Sequence, residues 1–105
     1  MPDLALVYIT TSDAVQALAI GRVLVAERLA ACINVLPGMT SVYRWQGRIE
    51  EAQEAVLIAK TRADQVAALS ARVRALHTYH LPCVVALTIA DGDPEYLAWI
   101  EQESG

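Results

Sequence analysis

The order of the apolar patterns is the feature that most constrains this chain, since it alternates between strand-like and helix-like periods. Residues 4–9 are almost wholly apolar and include β-branched and aromatic members, which predicts a central strand buried on both faces. Ser12 follows as the expected helix N-cap. Polar residues between 13 and about 31 then fall on one side at a helical period, which predicts an amphipathic helix of about five turns.

A long extended segment with an internal proline comes next. Residues 33–45 are interrupted by Pro37 and Gly38, and proline within a strand is confined to edges and bulges, so we expect an edge strand bent near its middle. A turn at residues 46–47 returns the chain as a second strand over 49–61, which predicts an antiparallel hairpin. Arms of about eight to twelve residues are long for a small domain, so we expect them to reach a neighbouring subunit.

The remaining third of the chain repeats the helix-then-strand order. Residues 63–76 carry one apolar stripe at helical spacing, and residues 84–90 have the pattern of a further buried strand. Asp93 is the expected N-cap of a short last helix over 95–101, with Pro94 at its first position.

These elements predict a single α+β domain over residues 1–105, with a ferredoxin-like β-α-β-β-α-β order and a short C-terminal helix. In that topology the first and third strands lie centrally and the second and fourth form the two edges. An open edge is a template for pairing with another chain. Three such domains joined edge to edge in a ring would bury both edges of each copy.

The composition favours an assembly over a lone domain. The chain is 55% hydrophobic and only 19% charged, whereas an ordinary domain is about 45–50% apolar and about 25% charged. Charges interrupt every apolar run well before the roughly 18 residues of a membrane span, and the N-terminus resembles no signal peptide. We therefore expect a cytoplasmic homo-oligomer without membrane contact, whose subunit interfaces bury the apolar surplus.

The charge and the cysteines exclude two further classes. A net charge of −4 argues against nucleic-acid binding, which normally needs a basic surface. Cys32 and Cys83 are the only cysteines, too few for a disulfide scaffold. Each is either a small buried hydrophobic residue or a ligand.

Several short motifs spread along nearly the whole chain add a second line of argument. They are Leu-Ala-Ala-Cys-Ile-Asn at 29–34, Pro37-Gly38, Ser-Val-Tyr at 41–43, Trp-Gln-Gly at 45–47, Glu54, Lys60-Thr61, His77-x-Tyr79-x-x-Pro82 and Tyr96-Leu-x-Trp99. In order and spacing they resemble the CutA divalent-cation tolerance proteins. The resemblance implies a homotrimer with PII-like architecture, tolerance to divalent cations and binding of metal ions, copper above all. It implies no established reaction, so an enzyme is not expected.

Two positions depart from the family pattern. Thr78 stands where the family usually has proline, and Cys83 stands where it usually has glutamate. A lost carboxylate and a gained thiol would alter any metal site at position 83.

Four side chains are candidate metal ligands, because thiolate and imidazole suit copper and zinc: His77, His80, Cys83 and Cys32. His77 and His80 are three residues apart and Cys83 lies three further on, a spacing compatible with convergence at a helix end. Cys32 is similar in position to the family cysteine. The alternative is structural, since a histidine in the last helical turn suits the helix dipole and His80 can be a solvated loop residue. The metal expected is copper(II) or another divalent cation.

A second set of side chains is expected to line a cleft between subunits: Tyr43, Trp45, Glu54, Lys60, Tyr79 and Trp99. The aromatic members are either packing anchors of the interface or walls of a small-molecule cleft. Lys60 and Glu54 lie on one pleat face, six residues apart. Lys60 is either a nucleophile or anion holder, or an ion-pair partner across the interface.

Three functions therefore remain open. The first is a trimeric metal-binding tolerance protein, and the second is a trimeric scaffold or anchoring protein. The third is a PII-like sensor of a small molecule held between subunits.

Overall fold

The computed structural model describes residues 3–105 and places the expected elements in the expected order. The elements are β1 (Leu4–Thr11), α1 (Ala14–Ala26), β2 (Cys32–Trp45), β3 (Arg48–Arg62), α2 (Val66–Leu76, preceded by a 3₁₀ turn at Ala63–Gln65), β4 (Val84–Thr88) and α3 (Pro94–Glu103). This is the α+β arrangement predicted from the apolar patterns. No helix within residues 3–105 is long and apolar enough to cross a membrane.

The four strands form one antiparallel sheet in the order β2-β3-β1-β4. The first and third strands are therefore central and the second and fourth are the edges, as the ferredoxin-like topology requires. The hairpin strands β2 and β3 are 14 and 15 residues long, longer than the eight to twelve expected. The longest dimension of the described chain is 44 Å against 25 and 23 Å.

One face of the sheet is covered by α1 and α2. Alternate side chains of the central strands point to this helix-covered face, among them Val7, Ile9 and Leu57, and all three are fully buried. Leu24 of α1 and Leu69 of α2 pack into the same core. Because successive strand residues point to opposite faces, this core uses only half of the side chains of each strand.

The other face, here called the open face, has no helical layer over most of its area. The register aligns Leu6 with Lys60 and Leu87, and Tyr8 with Ile58 and Val85, across β3, β1 and β4. Large apolar side chains remain uncovered there, since Leu36, Val85 and Leu87 are 53%, 52% and 53% exposed. The apolar surplus of the composition is therefore concentrated partly on one side of the sheet.

The bend expected at Pro37 and Gly38 is a β-bulge. Leu36 pairs with Val56 but Met39 pairs with Glu54, so two residues of β2 lie opposite one residue of β3. Gly38 has φ of 76°, a left-handed conformation that glycine adopts without steric cost. The bulge bends the edge strand where the proline predicted it.

The first helix differs from the prediction at both ends. Its N-cap is Asp13, whose carboxylate accepts the Gln16 N–H at 2.8 Å, and not Ser12. The helix ends at Ala26, about four turns long rather than five. It ends there because Arg28 is left-handed (φ 61°) and the Leu29 and Ala30 N–H groups both turn back to the Leu24 carbonyl.

The last helix begins as predicted and continues further. Asp93 accepts the Tyr96 N–H at 2.9 Å, with Pro94 at the first helical position. The helix runs to Glu103, two residues beyond the expected end. Arg28 then donates to the carbonyls of Gln102 and Gly105, at 2.7 and 3.1 Å, and joins the chain end to the α1–β2 loop.

Candidate functional site

A cleft of about 510 Å³ lies at one end of the open face. It is lined by residues of β1, β2, β3 and the α2–β4 loop: Thr10, Ser41, Tyr43, Trp45, Glu54, Tyr79, His80, Leu81 and Cys83. We call it the Glu54 cleft. Six of the ten side chains predicted as metal or cleft residues line it, which are Tyr43, Trp45, Glu54, Tyr79, His80 and Cys83.

The bulge in β2 explains why these side chains meet. Before the bulge Leu36 shares the open face with Val56, and after it Met39 shares that face with Glu54. The alternation continues outward from Met39, so Ser41, Tyr43 and Trp45 also point to the open face. The bulge places one extra residue of β2 before Met39 and so shifts the alternation by one position. The aromatic side chains of the hairpin therefore lie on the same face as Glu54.

Glu54 is the one acidic side chain of the cleft, and it is only 8% exposed. Its Oε2 accepts a hydrogen bond of 2.8 Å from the Tyr79 hydroxyl. Burial raises the pKa of the Tyr79 phenol well above its ordinary value, and the hydrogen bond to the Glu54 carboxylate raises it further. The phenol therefore stays protonated and remains a donor to the carboxylate.

His77 contacts Tyr79 but does not itself line the cleft. Its Nε2 lies 2.8 Å from the Thr10 carbonyl oxygen, and its Nδ1 accepts the Tyr79 N–H at 3.0 Å. The two contacts together assign the proton to Nε2, since a carbonyl oxygen can only accept. Its ring also lies 4.5 Å from that of Tyr79, centroid to centroid. With both nitrogens engaged, His77 could ligate a metal only if one of these bonds were broken.

The four predicted metal ligands lie in three places. His80 and Cys83 line the Glu54 cleft, and His77 lies beside it with its ring nitrogens occupied. Cys32 begins β2 opposite Lys60, toward the other end of the open face. Within residues 3–105 no three His, Cys, Asp or Glu side chains form a ready-made metal site.

The predicted cleft set is also divided, because Lys60 and Trp99 belong to a second cluster. Lys60 Nζ donates to the Tyr96 hydroxyl at 3.2 Å and lies 5.3 Å from the centre of that ring. The Tyr96 and Trp99 rings are 5.5 Å apart. Glu54 and Lys60 do point to the same face, but six residues of strand separate them by about 20 Å. Lys60 is therefore not a partner of Glu54 within one chain.

Three lining residues were missed by the sequence reasoning: Thr10, Ser41 and Leu81. Ser41 lies two residues before Tyr43 on the same strand, so the alternation that selected Tyr43 and Trp45 also selects it. No comparable local signal marks Thr10 or Leu81, which reach the cleft through the pairing of β1 with its neighbours and through the α2–β4 loop.

Fold and site together define a class: a ferredoxin-like α+β domain with an uncovered sheet face and an aromatic cleft around one buried carboxylate. Comparison with known proteins narrows this class to one family. The family model described as "CutA1 divalent ion tolerance protein" matches residues 5–103. The chain belongs to this CutA1 divalent ion tolerance family, which confirms the resemblance seen in its motifs.

Individual relatives agree in sequence and in fold. The divalent-cation tolerance protein CutA of Thermus thermophilus is 48% identical over 99 residues, which cover 94% of this chain and 96% of that protein. The CutA homolog of Xenopus laevis is 43% identical over 98 residues, and this chain spans 65% of its length. A solved structure of the divalent cation tolerance protein from Thermus thermophilus superposes with a TM-score of 0.95 at 47% identity, covering 97% of this chain and 99% of that one.

Proposed function

We propose that this chain works as a homotrimeric divalent-cation tolerance protein that binds copper(II), or another divalent cation, in the Glu54 cleft. The observation that carries the proposal is the meeting of His80 and Cys83 in one cleft beside a buried carboxylate. Imidazole and thiolate are ligands that copper and zinc prefer. The carboxylate of Glu54 adds a negative charge that favours any cation nearby. The family is named for tolerance to divalent ions and not for a reaction, and we propose no catalytic role.

The assembly is supported by the open face and by the sheet edges. β2 and β4 each leave one side without a strand partner within the described residues, and about half of each of Leu36, Val85 and Leu87 is uncovered. Closed homo-oligomers commonly bury such surfaces. The number of three follows from the family resemblance.

We place the chain in the cytoplasm, without nucleic-acid or membrane partners, on its acidic charge and apolar pattern. Relatives differ in location. One from Arabidopsis thaliana is named chloroplastic, and a solved one from Archaeoglobus fulgidus is described as periplasmic.

Copper titration of the purified, metal-free protein tests the metal site. We expect saturation at one ion per chain, and the double variant His80→Ala/Cys83→Ser should weaken binding. Loss of a group that only orients a ligand costs about 10- to 100-fold in metal affinity, so loss of two ligands should cost at least that.

Cys32→Ser is the matched control, since it removes the thiol that lies outside the cleft. It should leave the affinity unchanged. Wild-type affinity in the double variant would rule out this site, and a loss in Cys32→Ser would move the site to the start of β2. Anomalous scattering from a copper-soaked crystal would identify the ligands and the number of subunits together.

The volume of the cleft favours a second candidate function, the binding of a small organic molecule. Ligand pockets commonly measure about 300–1,000 Å³ and combine apolar walls with a few polar groups. The Glu54 cleft, at about 510 Å³, has Tyr43, Trp45 and Leu81 as apolar walls and Glu54 and Tyr79 as polar groups. A small-molecule ligand should therefore raise the melting temperature of the protein and lose this effect in variants of the cleft.

A further inference from the structure

The charge of the Glu54 cleft restricts what it can hold. Among its lining residues Glu54 is the only one that is charged at neutral pH, apart from the titratable His80, and none is lysine or arginine. A phosphate or carboxylate ligand would therefore face a buried negative charge with no fixed positive partner among the lining residues. The cleft is instead suited to a neutral or cationic ligand.

Glu54 has an oxygen available to such a ligand. Glu54 as a residue is only 8% exposed, and Tyr79 occupies its Oε2. Oε1 accepts no hydrogen bond from the described residues. Among residues 3–105 the only fully buried side-chain nitrogen or oxygen without a partner is Arg62 Nε, so Glu54 Oε1 is not fully buried, and Glu54 lines the cleft. A half-satisfied carboxylate at the base of an apolar cleft favours a ligand that donates a hydrogen bond and carries positive charge.

The walls beside Glu54 suit the rest of such a ligand. Tyr43, whose strand partner Glu50 is four residues from Glu54, is the nearer aromatic wall, and Trp45 lies about 7 Å further out along β2. Both side chains are partly exposed. Aromatic faces attract ammonium groups within about 6 Å of the ring centre and also cover apolar groups. An organic cation can satisfy both parts of the cleft, while a hydrated metal ion would leave the aromatic walls uncovered.

We infer that the Glu54 cleft binds a small organic ammonium ion, a primary amine with an apolar or aromatic tail. The ammonium group donates to Glu54 Oε1, and the tail packs against Tyr43, whose strand partner Glu50 is four residues from Glu54. Tyr79 is a positioning residue, because its hydroxyl holds Oε2 and so directs Oε1 into the cleft. This inference rests on the second candidate function above and names its ligand class.

Calorimetric titration with 2-phenylethylammonium tests the inference, with 2-phenylethanol as a neutral ligand of the same shape. We expect the amine to bind the wild-type protein at least about tenfold more tightly than the alcohol, because only the amine forms a charge-assisted hydrogen bond. Equal affinities, or no binding of the amine, would overturn the inference.

Glu54→Gln is the decisive variant, since glutamine keeps the size of the side chain and can still accept from Tyr79. It should lower the affinity for the amine by about 10- to 100-fold and leave the affinity for the alcohol unchanged. Glu51→Gln is the matched control, because Glu51 is an exposed carboxylate of the same strand that points to the opposite face. Full amine affinity in Glu54→Gln, or an equal loss in Glu51→Gln, would contradict the assignment.

The variant His80→Ala/Cys83→Ser separates this inference from the metal proposal when amine and copper are titrated in turn. Amine affinity should stay within a few-fold of wild type while copper affinity falls by at least about tenfold. Copper loss in the double variant with full amine affinity in Glu54→Gln would refute the amine site alone. Amine loss in Glu54→Gln with wild-type copper binding in the double variant would refute the metal site alone.

Discussion

The two faces of the sheet are built by the same strands and yet differ in almost every physical respect. On the helix-covered face Val7, Ile9 and Leu57 are fully buried among side chains of α1 and α2. On the open face Val85 and Leu87 are about half exposed. Apolar content alone therefore does not distinguish a buried core from an uncovered face. The difference is whether a layer of helices covers the face.

The polar chemistry follows the same division. The side chains that can bind a ligand, Glu54, Tyr79, His80 and Cys83, all lie on or beside the open face. An unpaired carboxylate in the helix-covered core would cost several kcal/mol, whereas the cleft allows one oxygen to meet solvent or a ligand. One face thus supplies the core of the single chain, and the other keeps apolar and ligand-type side chains uncovered.

The largest expected effect is that of Val85→Asp, which tests whether the open face is a subunit interface. Val85 pairs with Tyr8 on that face, so burial of the face by assembly would bury an unpaired charge in every copy, at a cost of several kcal/mol each. We expect sedimentation velocity to show dissociation to folded monomers. Val15→Asp, on an α1 position that is 78% exposed, should leave the assembly intact. An assembled Val85→Asp variant would mean that the open face meets solvent.

Next in size is Leu57→Ala, which removes a fully buried side chain from the helix-covered face. Truncation of a buried leucine costs about 2–5 kcal/mol, since it combines lost transfer energy with a cavity. Urea denaturation of the monomeric Val85→Asp background gives the free energy of unfolding. In that background Leu36→Ala, on the open face, should change it by no more than about 0.5 kcal/mol. Comparable losses at the two positions would contradict the division between the faces.

A smaller effect is expected from Tyr79→Phe, which leaves the Glu54 carboxylate without its donor. The loss should be about 1–3 kcal/mol in the free energy of unfolding, and toward the lower end because the cleft admits water. Tyr43→Phe, which removes a cleft hydroxyl with no hydrogen bond to Glu54, is the control and should cost less.

The same pair has a pH dependence of defined sign. Because the folded pKa of Tyr79 is raised, its contribution is fully present below the unfolded value of about 10 and is lost as pH rises above it. The stability difference between wild type and Tyr79→Phe should therefore shrink in alkaline solution. The ordinary pKa of tyrosine is about 10. A stability difference that grows above that pH would show that the phenol ionises more readily in the folded state.

The smallest effect is expected on the solvent side of the helices, at the ion pair of Glu27 with Arg72. Two guanidinium nitrogens of Arg72 contact the carboxylate at 3.0 and 2.9 Å, but both side chains are solvated. Glu27→Gln should lower the melting temperature slightly at low salt and not at high salt. A loss of stability as large as that expected for Leu57→Ala would show that this exposed ion pair contributes as much as a buried leucine.

Acid should remove the same small contribution. The hydrogen bond from Arg72 lowers the pKa of the Glu27 carboxyl, so the stabilisation is present above the ordinary glutamate pKa and is lost as pH falls through the folded value. Wild type and Glu27→Gln should therefore converge in strongly acidic solution.

Features with a local cause were predictable from the sequence. The order of helices and strands along the chain, the bulge at Pro37 and Gly38, and the Asp93 cap each follow from a few neighbouring residues. The end of α1 was not predictable, because Arg28 takes a left-handed conformation without being glycine or asparagine. Ala30 is buried just beyond it, and tertiary packing rather than propensity ends the helix there.

The candidate site was predictable in membership and not in arrangement. Six of the residues chosen by type and motif line one cleft, whereas Lys60 and Cys32 lie toward the other end of the sheet and Trp99 lies on α3. The role of His77 depends on the Thr10 carbonyl, 67 residues away in the chain. No local pattern reports such a pairing, because it arises only when β1 and the α2–β4 loop come together.

The bulge in β2 reverses which alternate residues of the strand point to the open face. Up to Leu36 the even-numbered residues face the cleft side, and from Met39 onward the odd-numbered ones do. Loss of one residue between them would straighten the strand and still leave Tyr43 and Trp45 on the cleft side, because regular alternation would then run through. Loss of both would turn the two aromatic side chains to the far side of the hairpin and bring Val42 and Arg44 round in their place. In a lineage of such chains, a one-residue deletion at this point should therefore be tolerated more readily than a deletion of two.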